Sequence, residues 1–138
     1  MRFPQWISVF GSQDYRGECP QELAEQITFF QWLRLQHPAL HRIAVHPRNE
    51  GKRSYHQARM QRLEGSLNVG ASDVIIPAGR AFVCEIKRQD HTKSRWQKGQ
   101  LEYLEAANNA GAFVCVALGS SAAMEALECY IIQMTQSG

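Results

Sequence analysis

Two short apolar runs, Val74-Ile75-Ile76 and Ala81-Phe82-Val83-Cys84-Glu85-Ile86, flank the tetrapeptide Pro77-Ala78-Gly79-Arg80. β-Branched and aromatic residues fit a pleated strand, and proline and glycine between them favour a reversal. The stretch therefore predicts an antiparallel hairpin. Strand side chains alternate with period two, so Val83, Glu85 and Lys87 share one face of the second strand and Phe82, Cys84 and Ile86 take the other. Asp73, at the mouth of the first strand, falls across from Glu85 and Lys87 in the paired register. Two carboxylates drawn together at a sheet are costly unless something compensates them, and a divalent cation would do so. The plain alternative for any Glu-x-Lys is a solvated ion pair of small energetic weight.

The rest of the chain reads as support for this hairpin. Ala112-Phe113-Val114-Cys115-Val116-Ala117-Leu118 is continuously apolar, which predicts a central strand covered on both faces. A first helix is predicted from Pro20, with Glu22 and Glu25 near its positive end and Leu23, Ile27, Phe30 and Leu33 as its apolar stripe; Pro38 ends it. Ile43-Ala44-Val45 predicts a short strand, and residues 54–63 have helical character with Arg59 and Arg62 on the surface. A second helix is expected from about Ser94, as N-cap, to Ala110, closed by Gly111. A last helix follows Gly119 through Met124, Leu127, Ile131 and Met134. Residues 1–20, broken by Pro4, Gly11, Gly17 and Pro20, are expected to form a short strand, or an arm packing on the body or on a second subunit.

A chain of 138 residues, 44% hydrophobic, suits one core. No apolar run approaches the ~20 residues that span a bilayer, and Met1-Arg2-Phe3-Pro4-Gln5 lacks a signal-peptide core, so a soluble cytoplasmic protein without membrane contact is expected. Cys19, Cys84, Cys115 and Cys129 are scattered, which favours reduced thiols and disfavours a zinc site. His37 and His41 are separated by a helix-breaking proline, so they do not form a zinc-protease pair. Gly65 to Ser72 has phosphate-loop spacing, but Ala71 stands where that loop needs lysine. Charge is unevenly spread. Residues 42–98 hold twelve basic and five acidic residues, +7, against −1 for residues 1–41 and −4 for residues 99–138. That field around the hairpin suits a polyanion such as nucleic acid.

Asp73 followed, after the hairpin, by Glu85-Ile86-Lys87 resembles the signature of the PD-(D/E)XK nuclease superfamily. With Gly65, Gly70-Ala71-Ser72-Asp73, Gln100, Tyr103-Leu104 and Gly111, the stretch from about Glu22 to Leu118 resembles the VRR-NUC family, virus-type replication-repair nucleases. Ser72 stands where the superfamily usually has proline. The resemblance implies an α/β, restriction-endonuclease-like core over residues 21–138, with a mixed central sheet in αβββαβ order flanked by helices, and residues 1–20 outside it.

The same resemblance implies a metal-dependent DNA endonuclease. Asp73, Glu85 and the backbone carbonyl of Ile86 would hold Mg²⁺ or Mn²⁺, with a further carboxylate from the first helix. Glu25 is favoured for that carboxylate and Glu22 is its competitor. Lys87 would orient water and stabilise charge on the phosphate. A glutamine on the second helix would face the same centre, Gln100 with Gln97 as competitor. Asn49 matches a proline-asparagine element of the family, and Arg48, Asn49, Lys52, Arg53, Arg59 and Lys93 are candidate DNA contacts. Stand-alone members resemble junction-resolving enzymes, which implies branched DNA of the Holliday-junction type as substrate and a two-fold homodimer. A restriction-like enzyme cutting plain duplex, and a non-catalytic DNA-binding protein on the same fold, are the alternatives.

Overall fold

A computed structural model of the chain describes residues 1–47, 59 and 69–137. Its strands β1 (Ser8–Phe10), β2 (Val74–Ile76), β3 (Phe82–Lys87) and β4 (Phe113–Leu118) form one sheet in the order β1-β4-β3-β2. The hairpin is antiparallel, with Val74 opposite Cys84 and Ile76 opposite Phe82; β3 and β1 both run parallel to β4. A parallel β3–β4 pair needs a crossover. Residues 88–112, carrying helix α3 (Gln100–Asn109), supply it.

Alternation then sorts the core into two layers. Phe82, Cys84 and Ile86 of β3, with Phe113, Cys115 and Ala117 of β4, meet Phe29 and Leu33 of α1 (Glu22–Gln36) and Ala123, Leu127 and Tyr130 of α4 (Ser120–Ser137). Val83, Val116 and Leu118 point the other way, towards Leu104 of α3 and Ile7. Phe82, Phe113 and Tyr130 close a triangle of rings with centroids 5.2–5.7 Å apart. Each such buried side chain contributes about 1.5–3 kcal/mol, which secures the turn end of the hairpin. All four cysteines are free, and Cys84 stands beside Cys115 in the strand register.

Three local expectations are corrected. Ile43-Ala44-Val45 is not a strand: Pro38 opens a second helix, α2 (Pro38–Ile43), and only Val45 reaches the sheet, bridging Ile75. The αβββαβ succession therefore has its first strand reduced to one bridge, with β1 added ahead of it. Proline ends α1 but fits the first turn of α2, where its missing N–H is not needed. On α1 the buried ridge is Glu25, Phe29 and Leu33, while Leu23 and Ile27 stay 58% and 50% exposed. The helix is apolar on several sides, so spacing alone did not select the inner one. Helix α3 begins at Gln100 rather than Ser94, because Gly99 takes a positive φ of 86° and the Ser94 hydroxyl accepts from the Arg88 N–H instead of capping. Among the described residues no helix is long and apolar enough to cross a membrane.

Candidate active site

The site lies at the open end of the hairpin, on the sheet face that also carries Val83. Extending the β2–β3 register by one residue sets Asp73 opposite Glu85. The Asp73 carboxylate accepts a 2.8 Å hydrogen bond from the Ile86 N–H. Ile75 spends its backbone groups on Val45, so the even residues of β3 turn theirs towards β2. The Ile86 carbonyl therefore points to the same edge as its N–H, the edge where Asp73 sits.

Glu85 and Lys87 are each only 1% exposed, so the solvated-pair alternative is excluded. Burial pushes the Asp73 carboxyl up, only partly offset by its hydrogen bonds and by Lys87. Burial pushes Glu85 well above the ordinary carboxylate range, and the negative Asp73 beside it adds to the effect. The two lie close enough for a protonated carboxyl to bond its neighbour. When both are ionised, Oε2 of Glu85 is a buried acceptor with no donor.

Gln100, the first residue of α3, ties the acid to the base. Its Nε2 donates to Glu85 Oε1 at 2.9 Å, and its Oε1 accepts from Lys87 Nζ at 2.9 Å and from the Gln97 N–H at 2.8 Å. Two donors on one side and a carboxylate on the other fix which way the amide points. The Lys87 ammonium also donates to the Arg95 carbonyl at 2.9 Å and lies 5.7 Å from the centre of the Trp96 ring.

The structure places the two first-helix carboxylates apart. Glu25 sits on the core-facing ridge of α1 and turns to the far side of the sheet, accepting from Gln89 Nε2 and Ser120 Oγ at the positive end of α4. Glu22 is the carboxylate that reaches the cluster, 3.5 Å from Lys87 Nζ. Nothing in the sequence separates two glutamates three apart; only the packed face of α1 does.

A cavity of about 370 Å³ opens beside Asp73 and Gln100, lined also by Gly70, Ala71, Gln97 and Lys98. Lys98 was not singled out from the sequence. His46, next to Pro47 at the end of the first described stretch, donates from Nδ1 to the Asp73 carbonyl at 2.6 Å. Of the candidate DNA contacts, Arg48, Asn49, Lys52 and Arg53 lie outside the described residues, and Arg59 is exposed. Lys93 is already engaged, its ammonium donating to the Gly17 carbonyl.

No family model and no curated protein matches the sequence. Among solved structures, a protein described as a "VRR_NUC domain protein" superposes with a TM-score of 0.63 at 20% identity, covering 83% of this chain and 90% of that one. The fold is VRR-NUC-like. At that identity the likeness speaks for the fold alone, and the chemistry must be argued from the side chains of this chain.

The side chains can be tested against a divalent cation. Among the described residues no trio of His, Cys, Asp or Glu side chains gathers at one point. The buried carboxylate of Glu85 and the partly buried one of Asp73 do meet, one oxygen of Glu85 lacks a donor, and a backbone carbonyl faces the same edge. An all-oxygen set that leaves further positions open suits Mg²⁺ or Mn²⁺ rather than zinc.

Proposed function

We propose that this protein is a divalent-cation-dependent nuclease that hydrolyses phosphodiester bonds in DNA. One observation carries the reading: the buried, donorless oxygen of Glu85 lies beside the Asp73 carboxylate, within one hydrogen-bonded cluster that includes Lys87. A cation held by Asp73, Glu85 and the Ile86 carbonyl would supply positive charge to the scissile phosphate and make an attacking water more acidic.

The chain's own groups divide the remaining work. Gln100 holds Oε1 of Glu85, and Oε2, which has no donor, would be left to bind the cation. The Ile86 N–H orients Asp73. Lys87, held among acceptors, neutralises the negative charge that grows on the phosphate oxygens as the nucleophile adds. Glu22 supplies the first-helix carboxylate in place of Glu25. Lys98, at the cavity wall, meets a neighbouring phosphate of the same strand, and the +7 segment attracts the polyanion.

Branched DNA is the proposed substrate. A two-fold homodimer would bring one such site to each of two opposed strands of a four-way junction. The test is incubation of purified protein with Mg²⁺ or Mn²⁺ and three substrates, a four-way junction, a flap and plain duplex. Cleavage of the junction in preference to duplex is expected, and chelation should stop it. Preferential duplex cutting would replace the branched substrate with the restriction-like alternative, and cleavage of none would end the nuclease reading.

The two helix glutamates are separable in the same assay. Glu22→Gln is expected to lower kcat about tenfold or more with little change in melting temperature, because its carboxylate is half-exposed beside Lys87. Glu25→Gln is expected to act mainly on stability, costing about 1–3 kcal/mol in thermal or urea unfolding, because it loses charge-assisted bonds beside the α4 start. The reverse pattern would restore Glu25 to the site.

A further inference from the structure

Residues 1–20 are joined to the crossover between β3 and α3 by a series of contacts. Arg88 donates from Nε to the Pro20 carbonyl at 3.0 Å and from its terminal nitrogen to the Cys19 carbonyl at 2.7 Å. Asp90 accepts the Gly17 N–H at 3.0 Å, and Lys93 donates to the Gly17 carbonyl at 2.7 Å. His91 donates from Nε2 to the Gln13 carbonyl at 3.1 Å and accepts at Nδ1 from the Met1 ammonium at 2.9 Å. Trp96 donates to the Arg2 carbonyl at 2.9 Å, and the Phe3 ring is T-shaped against both the His91 and Trp96 rings.

The far side of this segment meets Lys87. The Arg95 carbonyl takes one of its N–H groups, and the Trp96 ring lies within cation–π range. Inside the segment, the Asp90 carboxylate also accepts from the Thr92 N–H and hydroxyl. Hydrogen bonds from Thr92 and Gly17 hold that carboxyl down at about 2, so the anchor stays charged at any ordinary pH.

We propose that the N-terminal twenty residues are a positioning element of the active site, holding the 88–96 segment so that the Arg95 carbonyl and Trp96 ring aim the Lys87 ammonium. Between β3 and α3 the segment has one short 3-10 turn, His91–Lys93, and the Arg88 to Ser94 bond of its own, and its placement against the body comes from what it grips. Most of the grip is on backbone groups of the arm. The path and length of the arm therefore matter more than its side chains. The inference rests on reading Lys87 as a catalytic residue, but its test does not.

Two measurements on the full-length chain decide it. Reductive methylation followed by mass spectrometry reports how accessible the Lys87 amine is, whatever the protein's activity. In the wild type Lys87 should be protected. In the double variant Arg88→Gln, Asp90→Asn it should be methylated at temperatures where circular dichroism still shows the native fold. With cleavage as the second readout, the same variant should lose about tenfold in kcat, with KM for DNA within about twofold of wild type. Arg88→Lys alone, which keeps a donor for the Cys19 and Pro20 carbonyls, should recover most of both. Should the double variant not fold, Trp96→Phe keeps the ring over Lys87 while losing the bond to Arg2, and about a fivefold loss in kcat with partial exposure of Lys87 is expected.

Lys87 staying as protected in a folded variant as in the wild type would overturn the proposal. So would a kcat unchanged despite a lowered melting temperature. A wild type that cuts no DNA would remove the nuclease reading alone, since the methylation pattern would still decide whether the arm holds Lys87.

Discussion

Replacing Glu85 by glutamine is expected to abolish DNA cleavage and, at the same time, to raise the melting temperature of the cation-free protein. Loss of a cation-holding carboxylate should cost at least about 10²–10³-fold in kcat. The gain in stability comes from the same atoms. Glu85 is buried beside Asp73, and one of its oxygens has no donor. A glutamine amide keeps the shape, still accepts from Gln100, and offers Asp73 an N–H where it now meets a second negative charge. A relief of about 1 kcal/mol would raise the midpoint by about 3–6 °C.

The pH dependence carries the same sign. Both carboxyls have folded-state pKa values above their unfolded ones, so the folded protein binds more protons than the unfolded chain. Their contribution favours folding below the ordinary carboxylate range and is lost as pH rises through the raised values. The wild-type midpoint should therefore fall relative to the Glu85→Gln midpoint as pH rises, and Mn²⁺ should close the gap by stabilising the wild type alone. A midpoint lowered by the substitution at neutral pH would show that Glu85 is a satisfied structural group, not a strained ligand.

The second large effect is expected at Gly70. Its φ is +86°, and a Cβ built there would lie 2.1 Å from the carbonyl carbon of Gly99, itself at φ +86°; a Cβ on Gly99 would meet the Val69 carbonyl oxygen at 2.6 Å. Two glycines thus let one backbone rest on another. One belongs to the loop that delivers Asp73, and the other directly precedes Gln100. Gly70→Ala adds left-handed strain of about 1–2 kcal/mol to a collision with backbone that no rotamer can relieve. A total loss near 3 kcal/mol, a fall of roughly 10 °C in midpoint, is expected. Because the collision separates Asp73 from Gln100, kcat should fall about a hundredfold in the fraction that remains folded. An alanine variant as stable and active as the wild type would mean that the two loops need not touch.

The hairpin was legible because strand alternation is a local rule. Once Val74–Ile76 and Phe82–Lys87 are strands, period two puts Glu85 and Lys87 on one face and the register sets Asp73 across from them, whatever the rest of the chain does. The unbroken apolar run of β4 likewise marked a strand covered on both sides. Helix α1 was harder to read, since Leu23, Ile27, Phe29, Phe30, Trp32 and Leu33 offer more than one apolar face, and the choice between Glu22 and Glu25 turns with that face. The start of α3 was misread because Ser94 has the chemistry of an N-cap but spends its hydroxyl on Arg88.

What the sequence determined by itself is therefore the hairpin, the central strand and the shared face of Glu85 and Lys87, all matters of neighbours a few residues apart. What only the tertiary structure decided is which glutamate of α1 meets Lys87, the contact of Gly70 with Gly99, and the hold of residues 88–96 on the N-terminal arm. These join positions about thirty to ninety residues apart, largely through backbone carbonyls and N–H groups that every residue carries. An acceptor of that kind leaves no mark in the sequence, so only the folded chain reveals which one is used.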